Sequence, residues 1–141
     1  MALDTNIFIY AFAQHPTHGS KSLMILKNIE NGVISGLTTT ITLTEIAVRP
    51  FSLSRGDLAS DYVSMLTKMN NLNVLPLTPD LALEAARVRA KYPLRLPDAI
   101  QVAGALMEDA TSFITNDASI TKLGQINRMT LYTLDDISEK G

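Results

Sequence analysis

Four acidic residues, Asp4, Glu45, Asp98 and Asp117, stand at positions where an α/β chain would gather them. Asp4 closes a short apolar stretch at the N-terminus. Glu45 lies in the segment after the strand-like Val33 to Leu37. Asp98 falls in the first turn of an apolar helix opened by Pro97, and Asp117 directly follows the strand-like Ser112 to Thr115. In a parallel sheet, the C-terminal ends of strands and the N-termini of the next helices share one edge, where ligands bind. Carboxylates brought together there repel, so they raise one another's pKa or require a counter-ion. A set of hard oxygen donors without His or Cys suits Mg²⁺ or Mn²⁺. Such an ion keeps several waters, can activate one of them, and stabilises the leaving oxygen of a phosphodiester. The chemistry these residues could do is metal-assisted phosphoryl transfer to water.

Each acid also has an ordinary reading. An Asp in a helix's first turn favours the helix dipole, which would suffice for Asp98. Asp117, after Asn116, could be a cap or turn residue. Glu45 could be a solvated helix residue. Asp4 is the hardest to explain in that way, because a carboxylate among apolar residues is costly to bury. The combination carries the signal.

The elements that must position them follow from the punctuation. Ala2 to Thr5 is a short first strand. Ser20 can cap a helix from Lys21 to about Glu30, with Asn31-Gly32 as its stop. Val33 to Leu37 reads as the second strand. The run Thr40 to Thr44 alternates and is β-branched, which favours a strand. Leu43, Ile46 and Ala47 nevertheless form a helical stripe that Pro50 could stop. Asp57 can cap a helix to about Met69. Val74 to Leu77 reads as a strand, with Pro76 marking a sheet edge or strand end. Thr78-Pro79 starts a helix to about Lys91. Ala99 to Met107 is apolar almost all round, as a central buried helix is. Met129 to Leu134 is the last strand, followed by the acidic, polar tail Asp135 to Gly141. Apolar segments separated by turn signals predict an α/β domain with a parallel sheet.

Composition narrows the rest. The chain has 141 residues, enough to bury roughly two-thirds of its unfolded surface, with 12 basic and 14 acidic residues and a net charge of −2. That balance argues against a tail-driven nucleic-acid binder, although it does not exclude a nucleic-acid enzyme. The absence of cysteine removes disulfide scaffolds, thiolate zinc sites and cysteine nucleophiles. The two histidines, His15 and His18, read as loop residues near a helix start and are assigned no chemistry. Ile7 to Ala13 is too short to span a bilayer and lacks a basic flank. No membrane association and a cytoplasmic location are therefore expected.

At these residues the sequence resembles the PIN-domain nucleases. The resemblance is carried by Leu3-Asp4-Thr5-Asn6-Ile7, Thr44-Glu45, Leu96-Pro97-Asp98-Ala99-Ile100 and Thr115-Asn116-Asp117. The acids are spaced 41, 53 and 19 residues apart, and the match covers essentially the whole chain, 1–141, as one domain. It is closest to the small VapC-type toxins of bacterial and archaeal toxin–antitoxin pairs. The resemblance implies a three-layer α/β/α sandwich around a parallel sheet of about five strands. It also implies Mg²⁺- or Mn²⁺-dependent endoribonuclease activity that leaves 5′-phosphate and 3′-hydroxyl ends. Asp4, Glu45, Asp98 and Asp117 match the family's acidic site residues and are the expected metal ligands. Asn6 and Thr115 match polar positions that support the site. The resemblance also places Glu45 on a helix, so residues 41–49 are read as helical. An antitoxin protein and a second copy of the chain are the implied partners, beside the RNA substrate.

Charge patterning adds candidate substrate contacts. Arg87, Arg89, Lys91 and Arg95 occur within Ala85 to Pro97 without an acid among them. This stretch could meet RNA phosphates, or it could be a solvated face. Arg95, three residues before Asp98, is the stronger candidate and joins Asn6 and Thr115 as an expected substrate-binding residue. Tyr10, Phe12 and Phe51 could stack on bases or belong to the core. Leu53, Leu58, Tyr62, Met65 and Leu66 lie where the family commonly dimerises or meets its antitoxin, or are core. Two alternatives remain: a PIN scaffold that binds RNA or protein without cutting, and an aspartyl-phosphate phosphatase of the HAD type. The latter needs a second Asp two residues after the first, where this chain has Asn6.

Overall fold

A computed structural model describes residues 1–138. The order is β1 (Ala2–Leu3), α1 (Thr5–Phe12), α2 (Gly19–Glu30), β2 (Gly36–Thr39), α3 (Thr40–Ser52), α4 (Gly56–Lys68) and β3 (Leu72–Leu75). Then come α5 (Pro79–Lys91), α6 (Leu96–Met107), β4 (Ser112–Ile114), α7 (Ala118–Thr121), β5 (Gln125–Ile126) and β6 (Met129–Tyr132), and a 3₁₀ turn at Leu134–Asp136.

The six strands run β3-β2-β1-β4-β6-β5. Five are parallel, and β5 alone pairs antiparallel, with β6. The sheet expected to hold about five strands thus gains the short β5, which the sequence reading did not find; neither did it find α1 and α7. Alternation along the strands feeds two cores. Ala2, Phe113, Met129 and Leu131 enter the layer beneath α5 and α6, whereas Leu3, Ile114 and Tyr132 face α1 and α2. The result is the expected three-layer sandwich.

Boundaries shift for local reasons. The second strand starts at Gly36 rather than Val33. A Cβ at Gly36 would lie 2.5 Å from Ile29 Cδ1, so any larger residue would have to displace the buried Ile29 side chain where the strand passes α2. Residues 41–49 are helical, as the resemblance implied and local propensity did not. Pro50 does not stop α3, which runs on to Ser52 with Leu53 as its cap, and Ser54 beyond it takes the left-handed region (φ 57°). Asp57 lies inside the first turn of α4 and pairs with Arg55 at 3.0 Å; it is not the cap. α2 begins at Gly19, not after Ser20. β3 ends before Pro76 and forms a sheet edge, as its proline indicated. Thr78 caps α5 by accepting from the Leu81 amide, as read. Of the acidic tail, Asp135 and Asp136 sit in the 3₁₀ turn, and residues 139–141 lie outside the described range.

The strand order reverses between β1 and β4, whose outer neighbours are β2 and β6. The crevice at such a switch point opens at the carboxyl ends of the strands. Asp4 follows β1 there, and Asp117 follows β4.

Candidate active site at the carboxyl edge of the sheet

β1 is only two residues long, so Asp4 does not sit within a strand. It caps α1, with Oδ1 accepting the Thr5 amide at 2.8 Å. Its Oδ2 accepts the Thr115 hydroxyl at 2.7 Å, and the residue is 6% exposed. Burial drives its pKa up to about 6, against the pull of those two hydrogen bonds, and the charges of Asp98 and Glu45 add to the rise.

Asp98 enters from the first turn of α6, a helix with an unbroken buried run from Asp98 to Ala105. It is 5% exposed. Its pKa is also raised, chiefly by burial; Arg95 opposes the shift, while Asp117 and Glu45 reinforce it. Asp117 serves two ends. Its Oδ1 caps α7 by accepting the Ser119 amide at 2.9 Å, the ordinary role foreseen for it. Its Oδ2 faces Arg95 Nη2 at 3.8 Å. The exposed Arg95 also donates from Nε to Asp98 Oδ2 at 3.3 Å, so one guanidinium bridges two of the four acids.

Glu45 projects from the second turn of α3, and its Oε1 accepts the Thr5 hydroxyl at 2.6 Å. Thr115 is fully buried, and its oxygen accepts from the Asp117 amide at 3.0 Å and from Asn6 Nδ2 at 3.4 Å. It ties Asp4, Asn6 and Asp117 together beneath the surface, which is a positioning role. The four predicted acids thus meet at one edge, joined by hydrogen bonds, a shared arginine and mutual repulsion.

The rest of the basic stretch does not reach them. Arg87 pairs with Glu84 at 2.7 Å, and with Lys91 it lines a separate hollow beside Leu106 and Asn127. Arg89 lies exposed on the same helix. Of the aromatic residues, Tyr10 packs on the rings of His15 and His18, Phe12 stacks on Tyr62 at 5.0 Å, and Phe51 is exposed. Leu66 is core, whereas Leu53 and Met65 are exposed.

Sequence reasoning missed a buried hydroxyl lattice under the site. Gln101, on α6, donates from Nε2 to Thr5 at 3.1 Å and to Thr42 at 2.8 Å, and accepts from the Thr39 hydroxyl at 2.7 Å. Thr38 stands 2.7 Å from Thr42 and donates to the Leu3 carbonyl. Gly104, one turn along α6, allows this approach, since a Cβ there would lie 2.8 Å from Thr39 Cγ2. The only signal was a polar residue, Gln101, inside an otherwise apolar helix.

The donor set suits a hard divalent cation. It is all oxygen, two of its carboxylates are held above their ordinary pKa, and the buried Asn6 Oδ1 lacks a partner among the described residues. Among those residues no three acidic or histidine side chains close into a ready-made cage. Mg²⁺ does not require one, because it commonly takes one or two carboxylates and fills its shell with water.

A family model described as PIN domain matches residues 1–126. No curated protein matches. Three solved structures share the fold. A VapBC2 structure from Rickettsia felis, bound to a DNA fragment from their promoter, has a TM-score of 0.69 at 17% identity, covering 94% of this chain and 96% of that one. A toxin–antitoxin complex from Klebsiella pneumoniae gives 0.68 at 21%, with the same coverages. FitAcB from Neisseria gonorrhoeae gives 0.67 at 16%, covering 96% and 99%.

Proposed function

The chain belongs to the PIN-domain family, and on that premise we propose that it is a divalent-metal-dependent endoribonuclease, the toxin of a toxin–antitoxin pair. The observation that carries this reading is the convergence of Asp4, Glu45, Asp98 and Asp117 at the switch point, with two of them buried at high pKa. These four would hold Mg²⁺ or Mn²⁺. When bound, such an ion supplies a water of lowered pKa and offsets the charge that develops on the leaving oxygen. The reaction is hydrolysis: water's oxygen bonds to phosphorus, the bond from phosphorus to the 3′ oxygen breaks, and a proton ends on that oxygen.

The protein's own groups prepare this. Thr115 and the Thr5 amide fix Asp4, Thr5 fixes Glu45, and Asn6 braces Thr115. Arg95, exposed at the rim, is the group placed to meet an RNA phosphate.

Charge supports an RNA substrate. With the four site acids set aside, 12 basic residues face ten acidic ones, so the remaining surface carries +2. An antitoxin partner is supported by the three neighbours and by an apolar groove of about 230 Å³. Ile9, Phe12, Ile46, Pro50, Leu58 and Tyr62 line it, and it reaches Glu45. Val48, Phe51, Leu53 and Met65, exposed on or beside α3 and α4, would serve a homodimer. Among the described residues no helix is long and apolar enough to cross a membrane, which is compatible with a cytoplasmic nuclease.

The test is cleavage of total RNA in Mg²⁺ or Mn²⁺ by the wild type and by Asp98→Asn. Losing a ligand should lower cleavage by at least roughly 100-fold, the upper range for groups that only orient ligands. Undiminished cleavage by the variant would overturn the assignment. Tight RNA binding without turnover by the wild type would establish the non-cutting scaffold instead.

A further inference from the structure

Glu45 differs from the other acids. It is a long side chain on the exposed side of α3, and fixing it costs rotamer freedom that Asp4 and Asp98 have less of to lose. Among the described residues, what holds it is one hydrogen bond from Thr5, at 2.6 Å. The strength of that bond depends on where the Thr5 proton points, and the lattice below decides it.

A threonine hydroxyl has one proton. The Thr39 oxygen accepts from the Ile41 amide, and its proton goes to Gln101 Oε1. That fixes the direction of the Gln101 amide, because the reverse orientation would leave the Thr39 proton without this acceptor. Gln101 Nε2 therefore faces Thr5 and Thr42 with its two protons. Thr38 gives its proton to the Leu3 carbonyl, so Thr42 gives its own to Thr38. Thr5, already an acceptor from Gln101, gives its proton to Glu45, which is charged and nearer than Thr42, at 2.6 Å against 3.0 Å. The 3.0 Å approach between Thr5 and Thr42 then needs no proton at all. Gln101, Thr5, Thr38, Thr39 and Thr42 are each 5% exposed or less, so water does not compete for these directions.

We propose that Gln101 is a positioning residue for Glu45: its amide polarises and orients the Thr5 hydroxyl, which fixes the carboxylate at the metal-binding edge. Hydrogen-bonded chains strengthen along their length, and partners that orient a ligand commonly set metal affinity by 10- to 100-fold. The inference rests on the metal reading above and deepens it, because it assigns part of the site's affinity to a residue in the fold's core.

The experiment measures Mn²⁺ binding to the full chain by calorimetry, without RNA, alongside thermal melting. Gln101→Met should weaken Mn²⁺ roughly 10-fold, and this loss should vanish in the Glu45→Gln background, where the carboxylate has gone. Thr42→Val, on the other branch of the lattice, should lower the melting temperature and leave Mn²⁺ affinity alone. Thr39→Val keeps the amide but removes what directs it; it should give a smaller loss of the same sign and decides the matter if Gln101→Met does not fold. Unchanged Mn²⁺ affinity in Gln101→Met and Thr39→Val, or an equal loss in the Glu45→Gln background, overturns the positioning role. A wild-type chain that takes up no Mn²⁺ overturns the metal reading itself and this inference with it.

Discussion

The two ends of the sheet both open into hollows edged by charged residues, but they hold their charges differently. At the amino end, a cavity of about 440 Å³ is lined by Leu106, Asp109, Ala110, Thr111, Asn127, Arg128 and Met129. It is larger than the groove of about 230 Å³ that reaches Glu45 at the carboxyl end. Its Asp109 and Arg128 are exposed, so water already satisfies them. At the carboxyl end Asp4 and Asp98 are buried, repel their neighbours and are pinned by hydroxyls and amides. A charge that folding has removed from water at a cost needs a reason, and chemistry is the common one. Volume alone marks neither end.

The sharpest way to break this contrast is to remove the buried charge and leave its shape. Asp4 has a folded pKa of about 6 against an ordinary value of 3.8. Its folded state prefers the proton, so the stability this group contributes is complete below about pH 4 and is lost as pH rises through 6. Roughly two pKa units correspond to about 3 kcal/mol. In EDTA, Asp4→Asn should therefore be more stable than the wild type at pH 8, by up to about that amount. The stability of the variant should also vary less between pH 4 and 6. Denaturant unfolding across that range measures it. A variant less stable than the wild type at pH 8 would show that Asp4 is an ordinary cap.

The position of Asp4 and its three companions was legible because they stand at element boundaries, where strand and helix lengths fix the spacing. The lattice behind them was not. Thr5 and Gln101 lie 96 residues apart, and Thr5 and Thr42 37 apart, so no local pattern joins them. The same residues explain the misleading propensity of Thr40 to Thr44. Its alternating, β-branched run reads as a strand, but Thr42 faces inward to meet Thr38 and Gln101, a contact available to a helix packed on α6. Tertiary partners overrode the local preference. The start of β2 was lost for a related reason: the apolar pair Val33-Ile34 resembles a strand, while the strand itself begins at Gly36, where Ile29 fills the space of the missing side chain.

A smaller effect is expected at the rim of the carboxyl end. Arg95 is exposed yet meets both Asp98 and Asp117. If it also meets an RNA phosphate, Arg95→Ala should weaken binding across RNA sequences alike. The slope of log affinity against log salt should also fall by about 1. A salt titration of RNA binding by the wild type and Arg95→Ala reads this directly. An unchanged slope would leave Arg95 as a partner of the carboxylates alone.

The smallest effect belongs at the other end, and it serves as the control for Arg95. Arg128 is likewise an exposed arginine at the rim of a cavity, in the turn between β5 and β6. No side-chain partner fixes it to a buried carboxylate among the described residues. Arg128→Ala should change stability by less than about 0.5 kcal/mol, the usual range for such surface positions, and should leave RNA cleavage and its salt dependence where they were. The two substitutions remove the same charge from the same net total, so net charge alone would affect RNA equally in both. Any difference between them must come from what lies beside each arginine. Equal losses of cleavage would mean that overall charge, and not the carboxylate edge, governs the encounter with RNA.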